Sequence, residues 1–178
     1  MKRMLLTVLA ALSAAAPGAR AQDETQPCVR VASADWEGCI AACTRLIASG
    51  RYAGQRLSTL HASRGACHRR TGQVEQALAD LGRALALNPN NGDAYLNRSA
   101  VYGQQRRYAL SIADATRAIR LLPRDPLPYM NRCISYQRSG QPELAVPDCR
   151  TALRLDPKSE APRTFLEGMC LQGVRSAC

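Results

Sequence analysis

The sequence predicts an all-α fold, an α-solenoid of antiparallel helix pairs, and three observations carry that prediction. Pro89, Pro123 and Pro157 stand 34 residues apart (123 − 89 = 34; 157 − 123 = 34). The text before each proline repeats its residue types in register. His61, Arg64, Gly65 and His68 lead to Ala77, Leu81 and Ala84 before Pro89; Tyr95, Arg98, Ser99 and Tyr102 lead to Ser111, Ala115 and Ala118 before Pro123; and Tyr129, Arg132, Cys133 and Tyr136 lead to Ala145, Cys149 and Ala152 before Pro157. Turn signals then fall at a constant offset, with Gly72 and Gly140 where a left-handed backbone is cheapest and Arg106 in the same slot of the middle unit. A unit of this length holds two short helices and a turn, and it buries its apolar stripe only against its neighbours.

Each element has a local reason. Small residues in these slots let two helix axes approach, and large ones fill the gaps between them. Asp125 followed by Pro126 is an N-cap and first-turn pair, and Pro142 can open a second helix in the same way. Pro147 falls about one turn into that helix, where a lost ladder hydrogen bond should bend the helix or delay its start. After Pro157 the pattern predicts a closing helix, with Ser159 as N-cap and Phe165, Leu166 and Met169 sealing the stack.

The stretches AYLNRSAVY and PYMNRCISY resemble the first helices of tetratricopeptide repeats, and ALADLGRALALNP, SIADATRAIRLLP and AVPDCRTALRLDP resemble the second helices. The resemblance implies about three tetratricopeptide repeats over 57–157, a degenerate N-terminal helix unit within 22–56, and a capping helix and tail over 158–178. The segment CIAACTRLIASG is similar to one found in exported bacterial proteins of this family, which implies a periplasmic or secreted location in a Gram-negative bacterium. In such arrays the first helices line a concave groove. That places Ser63, Arg70, Leu96, Asn97, Gln104, Met130, Asn131, Ile134 and Arg138 as candidate peptide-binding residues, with asparagine amides for a peptide backbone, Met130 and Ile134 as an apolar patch, and Arg70 and Arg138 for a carboxylate. The family's carboxylate clamp for chaperone C-termini is not reproduced, because only Asn97 matches it while Ala62, Ala66, Leu127 and Asn131 occupy its other positions.

The N-terminus sets an expected compartment. Lys2 and Arg3 precede an apolar run from Met4 to Ala16, and Ala19, Arg20 and Ala21 form a small-x-small cleavage motif. Residues 1–21 therefore read as a signal peptide, too short for a stable membrane anchor, with the mature chain starting at Gln22. Eight cysteines in an exported chain read as disulfides. Cys28, Cys39, Cys43 and Cys67 gather at one end of the array, and Cys133, Cys149, Cys170 and Cys178 at the other. Terminal repeats lack one neighbour, so crosslinks there would suppress fraying. Cys133 with Cys149 and Cys170 with Cys178 are favoured, with Cys149 to Cys170 as competitor; Cys28 with Cys43 and Cys39 with Cys67 are favoured over the alternative of Cys28 with Cys39 and Cys43 with Cys67.

Charge and motifs narrow the function. The chain carries +10; removing Lys2, Arg3 and Arg20 leaves 21 basic residues (24 − 3) against 14 acidic ones, or +7, which favours an anionic partner. No basic run or aromatic platform suggests nucleic acid. Zinc ligation by Cys39, Cys43, Cys67, His61 and His68 is conceivable by ligand type, but both histidines occupy slots that hold Tyr95 and Tyr102 one repeat later, so no metal or cofactor is expected. No phosphate loop, nucleophile elbow, CxxC motif or metal-binding His-Glu pattern supports an enzyme. Arg64, Arg98 and Arg132 each precede an aspartate by 16 residues, at Asp80, Asp114 and Asp148, which predicts a repeated structural ion pair between facing helices, the alternative being six solvated side chains. The sequence thus predicts an exported interaction module with a peptide or protein partner, and as alternative a disulfide-braced envelope protein bound to peptidoglycan or another anionic surface.

Overall fold

The computed structural model describes residue 28 and residues 35–178; the expected signal segment 1–21 and its cut before Gln22 lie outside the described residues. Eight α-helices follow one another among the described residues: α1 Trp36–Ala48, α2 Gly54–Arg70, α3 Val74–Leu87, α4 Gly92–Gln104, α5 Tyr108–Leu121, α6 Pro126–Arg138, α7 Pro142–Leu155 and α8 Glu160–Leu171, before a short 3-10 turn at Arg175–Ala177. The period survives to the residue. The second helices α3, α5 and α7 begin 34 residues apart (108 − 74 = 34; 142 − 108 = 34) and end at Leu87, Leu121 and Leu155 on the same spacing. No described helix is long and apolar enough to cross a membrane.

Local chemistry sets the helix ends. The Asp125 side chain accepts a hydrogen bond from the Leu127 amide at 2.8 Å, so α6 starts with a capped turn and Pro126 where a missing N–H costs nothing. Asn91 caps α4 through the Ala94 amide, and Asp35 caps α1 through the Gly38 amide. Ser159 holds the N-cap position of α8, yet its hydroxyl makes no cap hydrogen bond. Between paired helices Gly72 and Gly140 adopt φ of 76° and 79°, and Arg106 is forced to 59° in the equivalent slot. Pro147 neither delays nor shortens its helix: α7 starts at Pro142 and has 14 residues, as α3 and α5 do. Its ring lies on the exposed face, so the missing N–H is absorbed at the surface. α2 begins at Gly54 and runs 17 residues, against 13 in each of α4 and α6.

The contact pattern explains the curvature. Each helix packs on its neighbours in sequence, and the first helices also touch one another, α2 against α4 and α4 against α6. The second helices α3, α5 and α7 make little contact among themselves, so the stack closes on the first-helix side and splays on the other. Three cores result. One surrounds Cys39, Cys43 and Leu60, a central one surrounds Leu81, Tyr95 and Val101, and one surrounds Cys133, Cys149 and Met169, where Leu166 and Phe165 of α8 seal the end.

All eight cysteines are paired. Of the pairings open at the N-terminal end, the structure holds Cys28–Cys43 and Cys39–Cys67; at the other end it holds Cys133–Cys149 and Cys170–Cys178. Cys39–Cys67 ties α1 to α2, and Cys133–Cys149 ties α6 to α7. A closed loop of about 15 residues contributes about 3 kcal/mol by restricting the unfolded chain, and Cys28–Cys43 and Cys133–Cys149 close loops of that size, 15 and 16 residues.

The contact bridged by Cys133 and Cys149 is made in the first repeat by Gly65 and Leu81, the residues in the same two slots. A Cβ at Gly65 would stand 2.8 Å from Leu81 Cγ and 3.2 Å from the Ala77 carbonyl oxygen. Gly65→Ala should gain up to about 1 kcal/mol of helix propensity but cost about 1–3 kcal/mol in overpacking, since Leu81 is fully buried. The expected net result is a lower urea midpoint; a midpoint raised above the parent's would show that the two helices can separate freely.

Candidate functional site

The first helices supply both the internal ion pairs and the groove, on different faces. Arg98 Nε donates to Asp114 Oδ2 at 2.7 Å and its Nη2 to Oδ1 at 3.0 Å, joining α4 to α5. Arg64 reaches Asp80 and Arg132 reaches Asp148 in the same two-point geometry. The three aspartates are each only 6% exposed, so this ladder is internal. Hydrogen bonds to the aspartate, opposed by burial, raise the pKa of Arg98 and of Arg132. Arg98 also lies over the rings of Tyr95 and Tyr102, 5.7 and 5.9 Å from their centroids, which positions its fork from both sides. Arg64 and Arg132 extend the ladder to the preceding helix through the hydroxyls of Thr44 and Thr116.

In the first repeat histidines replace the flanking tyrosines, and they join the network. His61 Nδ1 lies 2.9 Å from Asp80 Oδ1, while His68 bonds Gln73 and brings its other ring nitrogen to 3.7 Å from Asp80. They are therefore more than packing residues. Every cysteine is in a disulfide, and no group of three or more His, Cys, Asp or Glu among the described residues is arranged to hold a metal ion.

The concave face carries two cavities. The first, about 350 Å³, lies between α1, α2 and α4 and is lined by Trp36, Ala62, Ser63, Ala66, Asp93 and Asn97, among others. The second, about 270 Å³, lies between α2, α4 and α6 and takes Arg69, Gln104, Asn131, Ile134, Ser135 and Arg138. Six of the nine candidates thus line a cavity: Ser63 and Asn97 the first, Gln104, Asn131, Ile134 and Arg138 the second.

The other three, Leu96, Met130 and Arg70, line neither cavity. Leu96 packs against the central core and Met130 against the C-terminal one, because their helix positions turn half toward the neighbouring helix. Ile134 is left as the apolar side chain of that intended patch in a cavity. Arg70 stacks on Trp36, its guanidinium 5.3 Å from the ring, and lines neither cavity. Asn131 is partly spoken for: its Nδ2 donates to Ser99 Oγ at 2.8 Å and to the Leu96 carbonyl at 3.3 Å, which ties α6 to α4. Asn97 donates to the carbonyl of Asp93 on its own helix.

Arg69 was not among the candidates and is the cation of the second cavity's near wall. Its Nε is buried with no hydrogen-bond partner among the described residues. Burial, then the charge of Arg70, lowers its pKa. A signal existed, since Gly103 occupies the equivalent position of the next repeat and leaves space there. At the opposite end of α4, desolvation at the cavity rim and then the Asp125 carboxylate raise the pKa of Asp93. The groove is therefore polarised, acidic where the first helices start and basic where they end.

The comparisons with known proteins agree with this geometry. The family model described as TPR repeat matches residues 67–105. Residues 67–105 thus match the tetratricopeptide repeat, and the helix pairs stacked around them share its fold. No curated protein matches. Among solved structures, MamA from Desulfovibrio magneticus RS-1 superposes with a TM-score of 0.69 at 19% identity, covering 86% of this chain and 84% of that one. The second TPR domain of human RPAP3, solved in complex with an HSP70 peptide, gives 0.61 at 24% identity, covering 65% and 97%. YrrB, described as a TPR protein with an unusual peptide-binding site, gives 0.60 at 16% identity, covering 72% and 64%. At these identities the likeness establishes the shared fold.

Asp80 gives the repeat array a definite acid response. Burial alone would raise its pKa, but hydrogen bonds from Arg64 and His61, with their charges, hold it below the usual carboxylate range. The unfolded chain, with a carboxyl pKa of about 3.9, then takes up the proton first. Stability from this group is complete above about pH 5 and lost as pH falls through the folded-state value. Urea midpoints between about pH 2 and 5 should fall less steeply with acidification in Asp80→Asn than in the parent; equal slopes would mean that Asp80 is not the responding group.

Proposed function

We propose that this protein is an exported interaction module that holds a segment of a peptide or protein partner across its concave face. The observation that carries the reading is the pair of cavities on the first-helix side, aligned along the stack and lined by side chains that three successive units supply. An extended peptide suits such a surface, because each repeat offers it one more rung of amide and small apolar contacts. RPAP3 and YrrB, two of the structural neighbours, bind peptides by their own descriptions. The reading is binding rather than catalysis: the paired carboxylates and guanidinia of the ladder are internal, and every thiol is consumed in a disulfide.

Export rests on the N-terminal sequence and on disulfide use, since an oxidising compartment makes and keeps such bonds. Protein recovered from the periplasm of a Gram-negative host should begin at Gln22 and show an intact mass lower by the hydrogens of four disulfides. A retained N-terminus with eight alkylatable thiols would overturn export.

The groove itself is tested by selecting a displayed library of random dodecamer peptides against the immobilised protein. Selected peptides should lose about tenfold or more in affinity on combined Asn97→Ala, Gln104→Ala and Ile134→Ala substitution, the sum of several lost hydrogen-bond and apolar contacts. Undiminished affinity in that variant would move the binding surface elsewhere, and failure to enrich any peptide would remove the reading.

A further inference from the structure

The second cavity has an unusual donor inventory. Its floor is a cluster of three buried serines, Ser99, Ser111 and Ser135, at 0, 1 and 1% exposure. Ser111 Oγ donates to the Ser99 carbonyl at 2.8 Å, which leaves Ser135 to donate across the 2.7 Å contact with Ser111. Ser99 Oγ donates to the Leu96 carbonyl, and the Asn131 amide is spent on Ser99 and Leu96. The floor thus consumes its own hydrogens. The donors left to a ligand are those of the walls, the guanidinium groups of Arg69 and Arg138 and the amide of Gln104.

Both arginines are unopposed. No carboxylate of the described residues lies within ion-pair distance of either one, in contrast to the internal arginines of the ladder. Arg138 is exposed, while Arg69 keeps a buried Nε–H without an acceptor, an arrangement that costs free energy in the unliganded protein and is relieved by an incoming oxygen. Two guanidinium forks on one small cavity match a planar carboxylate, which accepts paired N–H bonds. The methyl surfaces of Ala100 and Ile134 in the same cavity suit the short alkyl stem that carries such a group.

We infer that this cavity is a carboxylate subsite of the groove, formed by Arg69 and Arg138, which takes an Asp or Glu side chain or the C-terminal carboxylate of the bound peptide. The inference deepens the groove reading above and rests on it. The subsite differs from the clamp in its cations: Ala62, Ala66, Asn97, Leu127 and Asn131 supply none, Asn131 borders this cavity with its amide already spent on Ser99 and Leu96, and Arg69 and Arg138 stand in the last turns of α2 and α6. The polarity of the groove then orients the peptide, with its acidic group at the Arg69 end and away from Asp93.

The test uses peptides from the same selection, each paired with versions in which single Asp or Glu residues become Asn or Gln and with a version amidated at its C-terminus. Loss of one particular carboxylate should weaken binding by about tenfold or more, as expected for a charge-assisted hydrogen-bonded contact. Arg69→Gln and Arg138→Gln should weaken the acidic peptide to a similar degree and leave its neutralised version unchanged. Arg83→Gln, on the exposed face of α3, removes the same charge and should leave affinity intact. Amidation and side-chain neutralisation separate the two sources of the carboxylate. Equal binding of acidic and neutral peptides would overturn the subsite, as would an Arg83→Gln loss equal to that of Arg138→Gln. If Asn97, Gln104 and Ile134 matter while Arg69 and Arg138 do not, the groove stands and the subsite falls; if no peptide is selected, both fall.

Discussion

Every helix pair in this protein has the same problem: its apolar stripe is too wide to be hidden within the pair. Burial against the next pair is the constraint from which the remaining features follow. It explains why the slots between units are held by fully buried small residues such as Ala77, Ala84, Ala115, Ala118, Ala145 and Ala152, which let the axes close up. It also explains why the ends are reinforced. The middle unit has neighbours on both sides and no disulfide, while the outer units carry all four. In the last unit the contact between its two helices, small against large in the first, has become a covalent bond between Cys133 and Cys149.

The Arg–Asp ladder works within that constraint. Packing of small residues is tolerant of sliding, whereas a two-point contact between a guanidinium and a carboxylate has one register. Surface ion pairs contribute at most about 1 kcal/mol, but these aspartates are nearly sealed, and removing one partner of such a pair costs about 3–5 kcal/mol. The ladder therefore specifies alignment more than it adds net stability. Its inward direction has a consequence for the opposite face. The internal arginines have aspartates assigned to them, and the cations that line the two cavities are instead Arg69 and Arg138, at the far ends of the first helices.

Legibility in the sequence followed the period. Residues whose role recurs, such as Arg98 with Asp114 or Gly72 with Gly140, stand out because three copies can be aligned within one chain. Residues whose role arises between copies do not. Leu96 and Met130 occupy rungs that alignment assigns to the groove, yet each turns toward a core, since a helix presents no sharp border between its inner and outer faces. Arg69 is the converse. It has no counterpart in the later repeats, where Gly103 and Gln137 stand, so a reading built on recurrence passes over it.

The sequence by itself determined the helix pairs, their 34-residue step and the facing of each Arg toward its Asp, because these depend on local propensity and on a spacing that the chain repeats. It also placed the cysteines at the two ends, though spacing alone left their partners open. Tertiary structure decided which sulfurs meet, which rungs open onto the concave face and which arginine keeps a buried N–H with no hydrogen-bond partner among the described residues. Those outcomes depend on distances between separate helices, and such distances are set only once the units have stacked.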